Sequence, residues 1–192
     1  MGKVRFGLSN VHYAKYNADD GTYDTPVAAP GARSFTIEYE GDTSNFYADN
    51  IVYETFATSS SITGTLEIAA AENQMLVDLL GYIDDSGLIL EDMEAQPVSF
   101  ALLGEINGNV NKQRFVLYNC KLSRPSQEAN TTEDTVEPDT QSFDFTAIGR
   151  DMPVLGETKN IAKAMIENTT ANKAKFDAFF TQVTMPTAAA GK

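Results

Sequence analysis

Few residues of this chain have the types and spacing that catalysis or metal binding requires. His12 is the one histidine and so the one side chain that ordinarily titrates near neutral pH, but no cysteine lies near it in sequence. Cys120, the one cysteine, lies in an apolar run, which favours a buried small hydrophobe over a nucleophile. Asp84-Asp85-Ser86-Gly87, followed by Glu91-Asp92, lacks the ligand spacing of a calcium loop, so a polar turn is favoured.

Signature motifs of the common enzyme classes are missing from the sequence. A single cysteine cannot form a disulfide or a cysteine-based zinc site within one chain, and it fits a reducing cytoplasmic setting. The sequence has no Gly-rich phosphate loop, no Gly-x-Ser-x-Gly motif and no histidine pair. We therefore expect no catalytic residues, no cofactor and no metal. An enzyme built on an unmarked carboxylate pair is the less favoured hypothesis.

The charge is divided unevenly along the chain. The 192 residues hold 27 acids and 14 bases, a formal net charge of -13. Residues 1–156 carry 24 of the acids and 9 of the bases, whereas residues 157–192 carry 3 acids and 5 bases. We expect a body domain over 1–156 and a C-terminal extension over 157–192, forming an arm or a helical clasp. The strong negative charge of the body disfavours sequence-specific DNA binding. No apolar run in the sequence is long enough to cross a membrane.

Alternation with period two predicts a mainly β chain. Arg33–Glu40, Ile62–Ala69 and the segment around Phe143 and Phe145 each place apolar residues on one face and polar residues on the other. Two further runs, Val98–Leu103 and Phe115–Leu122, are apolar on both faces and predict strands covered on two sides, joined as a hairpin through Asn107-Gly108. The N-terminal alternation from Val4 to Leu8 and the stretch from His12 to Tyr16 add one or two strands.

Helices are predicted at three places. Glu72–Leu80 has apolar residues at helical spacing, and Gly81 follows as a stop. In the extension, Lys159–Glu167 and Asn172–Val183 also have helical spacing, with a strand over Phe180–Thr184 as the alternative. Two long loops are expected, a solvated one over Arg124–Thr140 and another over Gly41–Ser61.

The outward positions of the three alternating strands form the first candidate surface. They hold four acids and no base, which indicates either an ordinary hydrated sheet face or an anionic wall: Ser34, Thr36, Glu38, Glu40, Thr63, Thr65, Glu67, Ser142, Asp144 and Thr146.

The second candidate surface is the Gly41–Ser61 loop. It contains Phe46, Tyr47, Tyr53 and Phe56, although a loop that ends in water should be hydrophilic. Four aromatic residues indicate that this loop packs on another surface.

Several motifs, in register over about residues 3–150, resemble one known family. The opening segment from Lys3 to Ala14 is similar to the start of the major tail proteins of long, non-contractile-tailed phages that infect Gram-positive bacteria. Further similar segments follow in the same order: Asp20–Tyr23 with Thr25-Pro26, Pro30–Ala32, Glu40–Asp42 with Phe46–Asn50, Gly64–Ala69, Pro97–Leu103, Val116–Cys120 with Ser123–Pro125, and Val136–Pro138. Residues 157–192 match the family only in part, around Phe179–Val183.

The resemblance implies a tail tube subunit with a β-sandwich fold, one flanking helix and a short helical C-terminal extension. Such subunits form hexameric rings that stack into a hollow tube for genome ejection, assembled in the host bacterial cytoplasm and located in the virion tail. The implied partners are further copies of the chain, the tape measure protein inside the tube, other tail proteins at its ends and double-stranded DNA that passes without specific binding; no membrane binding is expected.

In this interpretation both candidate surfaces have roles. The lumen would be lined from among Glu38, Glu40, Thr63, Thr65, Glu67 and Asp144. The contact between rings would be made by Phe46, Tyr47, Tyr53 or Phe56. Two alternatives remain: a single-ring terminator or neck protein of the same fold, and a ligand-binding β-sandwich module that uses the aromatic loop as its site.

Overall fold

The computed structural model describes residues 7–48, 50–108, 111–126 and 140–188, and it confirms a mainly β, sandwich-like fold. The elements in these ranges follow in chain order: β1 (Leu8–Asn17), β2 (Thr22–Tyr23), β3 (Val27–Ala28), β4 (Ala32–Ala48), β5 (Ile51–Ile68), α1 (Asn73–Leu80), β6 (Ile83–Asp85), β7 (Leu88–Leu90), β8 (Phe100–Ile106), β9 (Gln113–Leu122), β10 (Gln141–Ala147), β11 (Arg150–Val154), β12 (Glu157–Ile161), β13 (Lys163–Glu167), α2 (Lys173–Asp177) and a 3-10 turn (Ala178–Phe180).

A nine-stranded antiparallel sheet forms the centre of the fold. Its order is β2-β1-β8-β9-β10-β5-β4, with β3 added to β1 and β13 added to β9. β9 pairs with β8 along one edge, while its other edge is shared by β13, over Gln113–Leu117, and β10, over Cys120–Leu122. The sheet therefore divides at β9 into two branches.

The larger core lies on the concave side of the sheet. The branch that ends in β4 bends back, so that Phe35 of β4 stacks on Phe115 of β9 with ring centroids 4.8 Å apart. Helix α1 contributes Leu79 and Leu80 to this core, where both are fully buried. Gly81 ends the helix in the left-handed conformation, φ 74°, which glycine adopts without steric cost. The helix predicted over Glu72–Leu80 is confirmed.

A second core lies on the opposite face of β1, β8 and β9. There Ala101 and Val116 are covered by Met152 of β11 and by Phe179 and Val183 of the C-terminal segment. Coverage on both sides explains why the runs around β8 and β9 are apolar at nearly every position, and the predicted hairpin between them is confirmed. In the single chain, residues of the predicted extension thus pack on the body.

The helix predicted over Lys159–Glu167 is wrong, because this segment forms β12 and β13. A tight turn at Leu155-Gly156, both with positive φ, returns β12 along β11. β13 then pairs with the half of β9 that β10 leaves free. The apolar spacing of this segment also suits strands, and pairing with distant residues overrides local helical preference.

The remaining predictions have mixed outcomes. The helix predicted over Asn172–Val183 is confirmed only in its first part, as α2 and the 3-10 turn, and the alternative strand over Phe180–Thr184 does not form. Asp84-Asp85-Ser86-Gly87 lies at the β6–β7 hairpin turn, where the Gly87 amide donates to Asp84 Oδ1 at 2.7 Å. Most of the Arg124–Thr140 loop, and the strand residues Val4 and Phe6, lie outside the described residues.

A buried carboxylate connects the sheet to the C-terminal segment. Glu105 of β8 is 1% exposed and lies 2.8 Å from Arg114 Nε and 3.2 Å from Lys112 Nζ. The Arg114 guanidinium donates to the Phe176 carbonyl and stacks on the Phe176 ring, 3.9 Å from its centroid. Burial opposes ionisation of Glu105, but the hydrogen bonds from Arg114 and Lys112 outweigh it and hold the pKa of Glu105 below its usual value.

Replacing Glu105 with Gln should lower the free energy of unfolding at pH 7 by about 2 kcal/mol, because a charged acceptor for Arg114 is lost. The folded-state pKa of Glu105 is lowered, so its stabilising contribution is complete above the unfolded value of about 4.3 and is lost as the pH falls through the folded value. In urea unfolding from pH 7 to pH 3, the difference between wild type and E105Q should therefore shrink at the acidic end. The exposed control Glu94→Gln should change stability by less than about 0.5 kcal/mol. A difference that stays constant with pH would contradict this assignment.

Candidate functional site

The six residues predicted to form an acidic surface lie together on one face of the sheet. β4, β5 and β10 are neighbours, and in one row of their register Thr36 pairs with Thr65, which pairs with Asp144. We define the polar face as the outward residues of the three strands: Ser34, Thr36, Glu38, Glu40, Thr63, Thr65, Glu67, Ser142, Asp144 and Thr146. All of them are exposed or half-buried, and six of them, Thr36, Glu38, Thr63, Thr65, Asp144 and Thr146, line a shallow hollow of about 290 Å³.

Hydroxyl groups hold carboxylates of the polar face in fixed orientations. Thr65 Oγ1 donates to Asp144 Oδ1 at 2.6 Å, and Thr63 Oγ1 donates to Glu40 Oε1 at 3.2 Å. Each bond joins neighbouring strands, so the side chains lie along the sheet surface. Because the acceptors are carboxylates, the surface keeps its negative charge while its polar groups are satisfied.

Glu67 is the most strongly held carboxylate of the polar face. It accepts hydrogen bonds from Thr140 Oγ1 at 2.6 Å and from Ser34 Oγ at 2.9 Å, and Arg33 Nη1 lies 3.1 Å away. These hydrogen bonds, that of Thr140 first, hold the pKa of Glu67 below its usual value. Glu67 therefore stays ionised at mildly acidic pH.

Two basic residues border the polar face, and the sequence did not indicate either. Lys121 of β9 pairs with Thr146 and continues its row, exposed to solvent. Arg33, at the start of β4, pairs with Glu67. The sequence pattern did not indicate an outward position for Lys121, because this residue interrupts a run that is otherwise apolar on both faces. The surface is thus acidic in its centre, with cations at two of its margins.

The prediction of a long loop over Gly41–Ser61 is wrong, because this segment continues β4 and β5 as a two-stranded ribbon. Gly41 to Ala48 pair antiparallel with Ile51 to Ser59, and Asn50, with φ 63°, lies at the turn. The segment contains five β-branched and four aromatic residues, types that favour strands, which explains the outcome. We call residues 41–61 the arm. Within the part of the chain that the structure describes, β10 pairs only with Ile62–Ile68 of β5, so the strands of the arm pair only with each other.

The four predicted contact aromatics lie on the arm, and all are largely exposed. The exposed fractions are 55% for Phe46, 64% for Tyr47, 70% for Tyr53 and 52% for Phe56. Ile51 is also exposed, and the rings of Phe46 and Tyr53 meet edge to face at 6.4 Å. A concentration of exposed apolar side chains on one thin ribbon is typical of a surface that another molecule covers.

The outer edge of β4 is a second surface suited to assembly. Among the described strands, β4 pairs with β5 alone, along its full length from Ala32 to Ala48. A long unpaired edge offers a row of backbone donors and acceptors to a strand of another molecule.

The two residues considered above as candidates for chemistry, His12 and Cys120, are both held in packed positions. His12 lies in β1, with Nδ1 2.9 Å from the Asn10 carbonyl oxygen, and its ring stacks on Phe180. Cys120 is fully buried, as predicted, and burial raises the pKa of its thiol. Among the described residues, no group of three or more His, Cys, Asp or Glu side chains is arranged to hold a metal ion. Within the same ranges, no helix has the length and apolarity needed to cross a membrane.

Comparison with known proteins gives no relative: no family model matches the chain, and no curated protein matches its sequence.

Removing the hydroxyl donors of Glu67 should raise the pKa of its carboxyl group towards the ordinary glutamate value. We expect this rise in a Ser34→Ala, Thr140→Val double variant, because both hydrogen bonds favour the charged form. Carboxyl carbon chemical shifts followed by NMR during a pH titration measure the pKa directly. Ser142→Ala is the control, because Ser142 lies directly across from Glu67 in the sheet but its side chain is not among the described hydrogen-bond donors to Glu67. An unchanged pKa of Glu67 in the double variant would mean that this pKa is set mainly by Arg33 or by more distant charges.

Proposed function

We propose that this protein is a structural subunit that assembles into a hollow tube, in the manner of the major tail proteins of long, non-contractile-tailed phages. The observation that carries the proposal is the arm, with its four largely exposed aromatics on a ribbon that no other strand of the described chain supports. An isolated two-stranded hairpin is only marginally stable in water. The arm therefore gains most from a partner that covers it.

A repeating assembly meets this requirement. When the arm of each subunit contacts a different surface on the next, the contact is heterologous, and it propagates along an axis when its rotation does not close a ring. Each aromatic ring has roughly 100 Å² left to bury, which at ~25 cal/mol per Å² stabilises a contact by about 2–3 kcal/mol per ring. Several rings at every contact give enough stability for a filament of many subunits.

The edge of β4 supports closure of each ring of subunits. Pairing of this edge with a strand of the adjacent subunit would satisfy the backbone groups that are unpaired in the single chain. The sheets of six subunits would then join into one inner barrel. The polar face, which lies on β4, β5 and β10, would line the bore of this barrel.

The chemistry of the polar face suits the passage of DNA. Carboxylates within about a Debye length, ~8 Å, of the phosphates repel them weakly, whereas a lysine or arginine lining would release counterions and bind. The hydroxyl–carboxylate bonds keep the negative groups flat against the sheet. Such a surface is smooth and is anionic in its centre, with Lys121 and Arg33 at its margins, and the same lining would accommodate a tape measure protein before the DNA passes.

Negative-stain microscopy of the purified protein tests the proposal. Long tubes are expected. Isolated rings would favour a terminator or neck protein, and persistent monomers would favour a ligand-binding module; either result would contradict the proposed function.

Changing Phe46 and Tyr53 to Ser should abolish tube formation while leaving the fold intact. Both rings lie outside the cores, so the thermal unfolding temperature of the monomer should be unchanged. Loss of about 4–6 kcal/mol per contact, from two rings, should raise the concentration needed for assembly by roughly a thousandfold or more. Sedimentation at a series of protein concentrations measures this value. Leu88→Ser, at an exposed site on the β6–β7 hairpin, is the matched control and should assemble normally.

Replacing Glu38, Glu67 and Asp144 together with Lys should leave tubes intact but slow DNA release from phage particles assembled with the variant. The physical reason is that three cations per subunit on the polar face attract phosphate groups. Release can be followed by the fluorescence of a DNA-binding dye.

The control for the lysine variant carries the same change in formal charge at exposed sites elsewhere: Asp24, Asp85 and Glu94, each replaced with Lys. Equal release rates in the two triple variants would remove the electrostatic role of the polar face.

A further inference from the structure

A groove separate from the polar face and the arm lies between β13 and the C-terminal segment. Its volume is about 550 Å³, and its walls are mainly apolar, with Val116, Ala164, Met165, Ile166, Phe179 and Met185 among the lining residues. No lining residue belongs to β4 or β5, so the arm of the same chain does not fill the groove.

The rim of the groove is incompletely covered. Met165 is 53% exposed and Met185 is 42% exposed, although both face an otherwise apolar surface. Methionine side chains are flexible and polarisable, and they make favourable contacts with aromatic rings. The groove therefore has the size and composition of a binding surface for an apolar segment.

Charge complementarity favours the arm as the segment that binds in this groove. The arm contains three acids and no base, whereas residues 157–192 contain 3 acids and 5 bases. Lys175 lines the groove and is exposed, and among the described residues it forms no ion pair. Glu54 lies on the arm opposite Phe46, where it is also exposed. Glu167 adds one negative charge to the lining, and Lys159 and Lys173 are paired with Glu157 and Asp177, so the attraction to the arm comes from Lys175.

The area of the arm also fits a stable contact. The four aromatics are 52–70% exposed. At 150–250 Å² for each whole ring, burial of all four, on both faces of the ribbon, removes roughly 400–600 Å² from water, about half to three quarters of the ~800 Å² that each partner contributes to a standard interface. Ile51 and Val52 add to this apolar area.

We propose that this groove is the docking site for the arm of a second copy of the chain. The inference rests on the proposed function and specifies the surface that the arm contacts. The aromatic rings of one subunit lie against Met165 and Met185 of the next, and Glu54 lies near Lys175. Because arm and groove are different surfaces, the contact is head to tail, and between stacked rings it can repeat along the axis of the tube.

Site-directed thiol cross-linking of the assembled full-length chain tests the docking site. Val52→Cys places a thiol on the arm and keeps all four aromatics, and Met165→Cys or Met185→Cys places one at the groove. Cys120 is fully buried and does not interfere. With a short bismaleimide, either double variant should shift most of the protein from the monomer band to a covalent ladder. Val52→Cys with Leu88→Cys is the control and should remain largely monomeric on the gel.

The outcomes separate this inference from the proposed function. Ladders in the groove variants, formed only above the concentration at which the protein assembles, support the docking site. Tubes that form normally without ladders in either groove variant overturn the docking site and leave the tube function standing. Failure of the wild-type chain to form tubes overturns both.

Discussion

The register of β5 between β4 and β10 determines the two main surfaces of this protein. Side chains alternate along a strand, so Leu66 enters the core while Thr65 and Glu67 face water. A slip by one residue would bury Glu67 and expose Leu66, which makes any other register costly. The same pairing continues past Ser61 into the arm. The β4 and β5 part of the polar face and the arm therefore belong to one hairpin, with a register shift between Glu40 and Gly41, and β10 completes the polar face.

The body and the C-terminal segment differ in charge, and packing holds the segment on the sheet. Acids are concentrated in the body, while the C-terminal segment carries a small positive excess and packs across β8 and β9. The Glu105–Arg114 pair and the stacking of Arg114 on Phe176 attach this segment to the sheet. Under the proposed function the acidic body repels DNA, while Lys175 of the attached C-terminal segment offers a cation to an acidic partner. In the proposed assembly, that partner is the arm of another copy.

Local patterns predicted the elements better than their arrangement. The period of two around Phe35, Leu66 and Phe145 predicted β4, β5 and β10, and Gly81 correctly marked the end of α1. The same reasoning failed at Lys159–Glu167, where a helical spacing is also compatible with two short strands. It failed again at Gly41–Ser61, because low apolar content at the ends of a segment does not exclude a ribbon that pairs with itself.

The amino-acid sequence by itself determined the β-rich fold class, the acidic outward residues and the presence of exposed aromatics, since these depend on side-chain type and local period. Only the tertiary structure decided that Glu38, Thr63 and Asp144 share one face, that Lys121 borders it, and that a groove lies beside β13. Those facts depend on which strands become neighbours. Neighbours are chosen by the burial of distant residues against one another, a property that no short stretch of sequence contains.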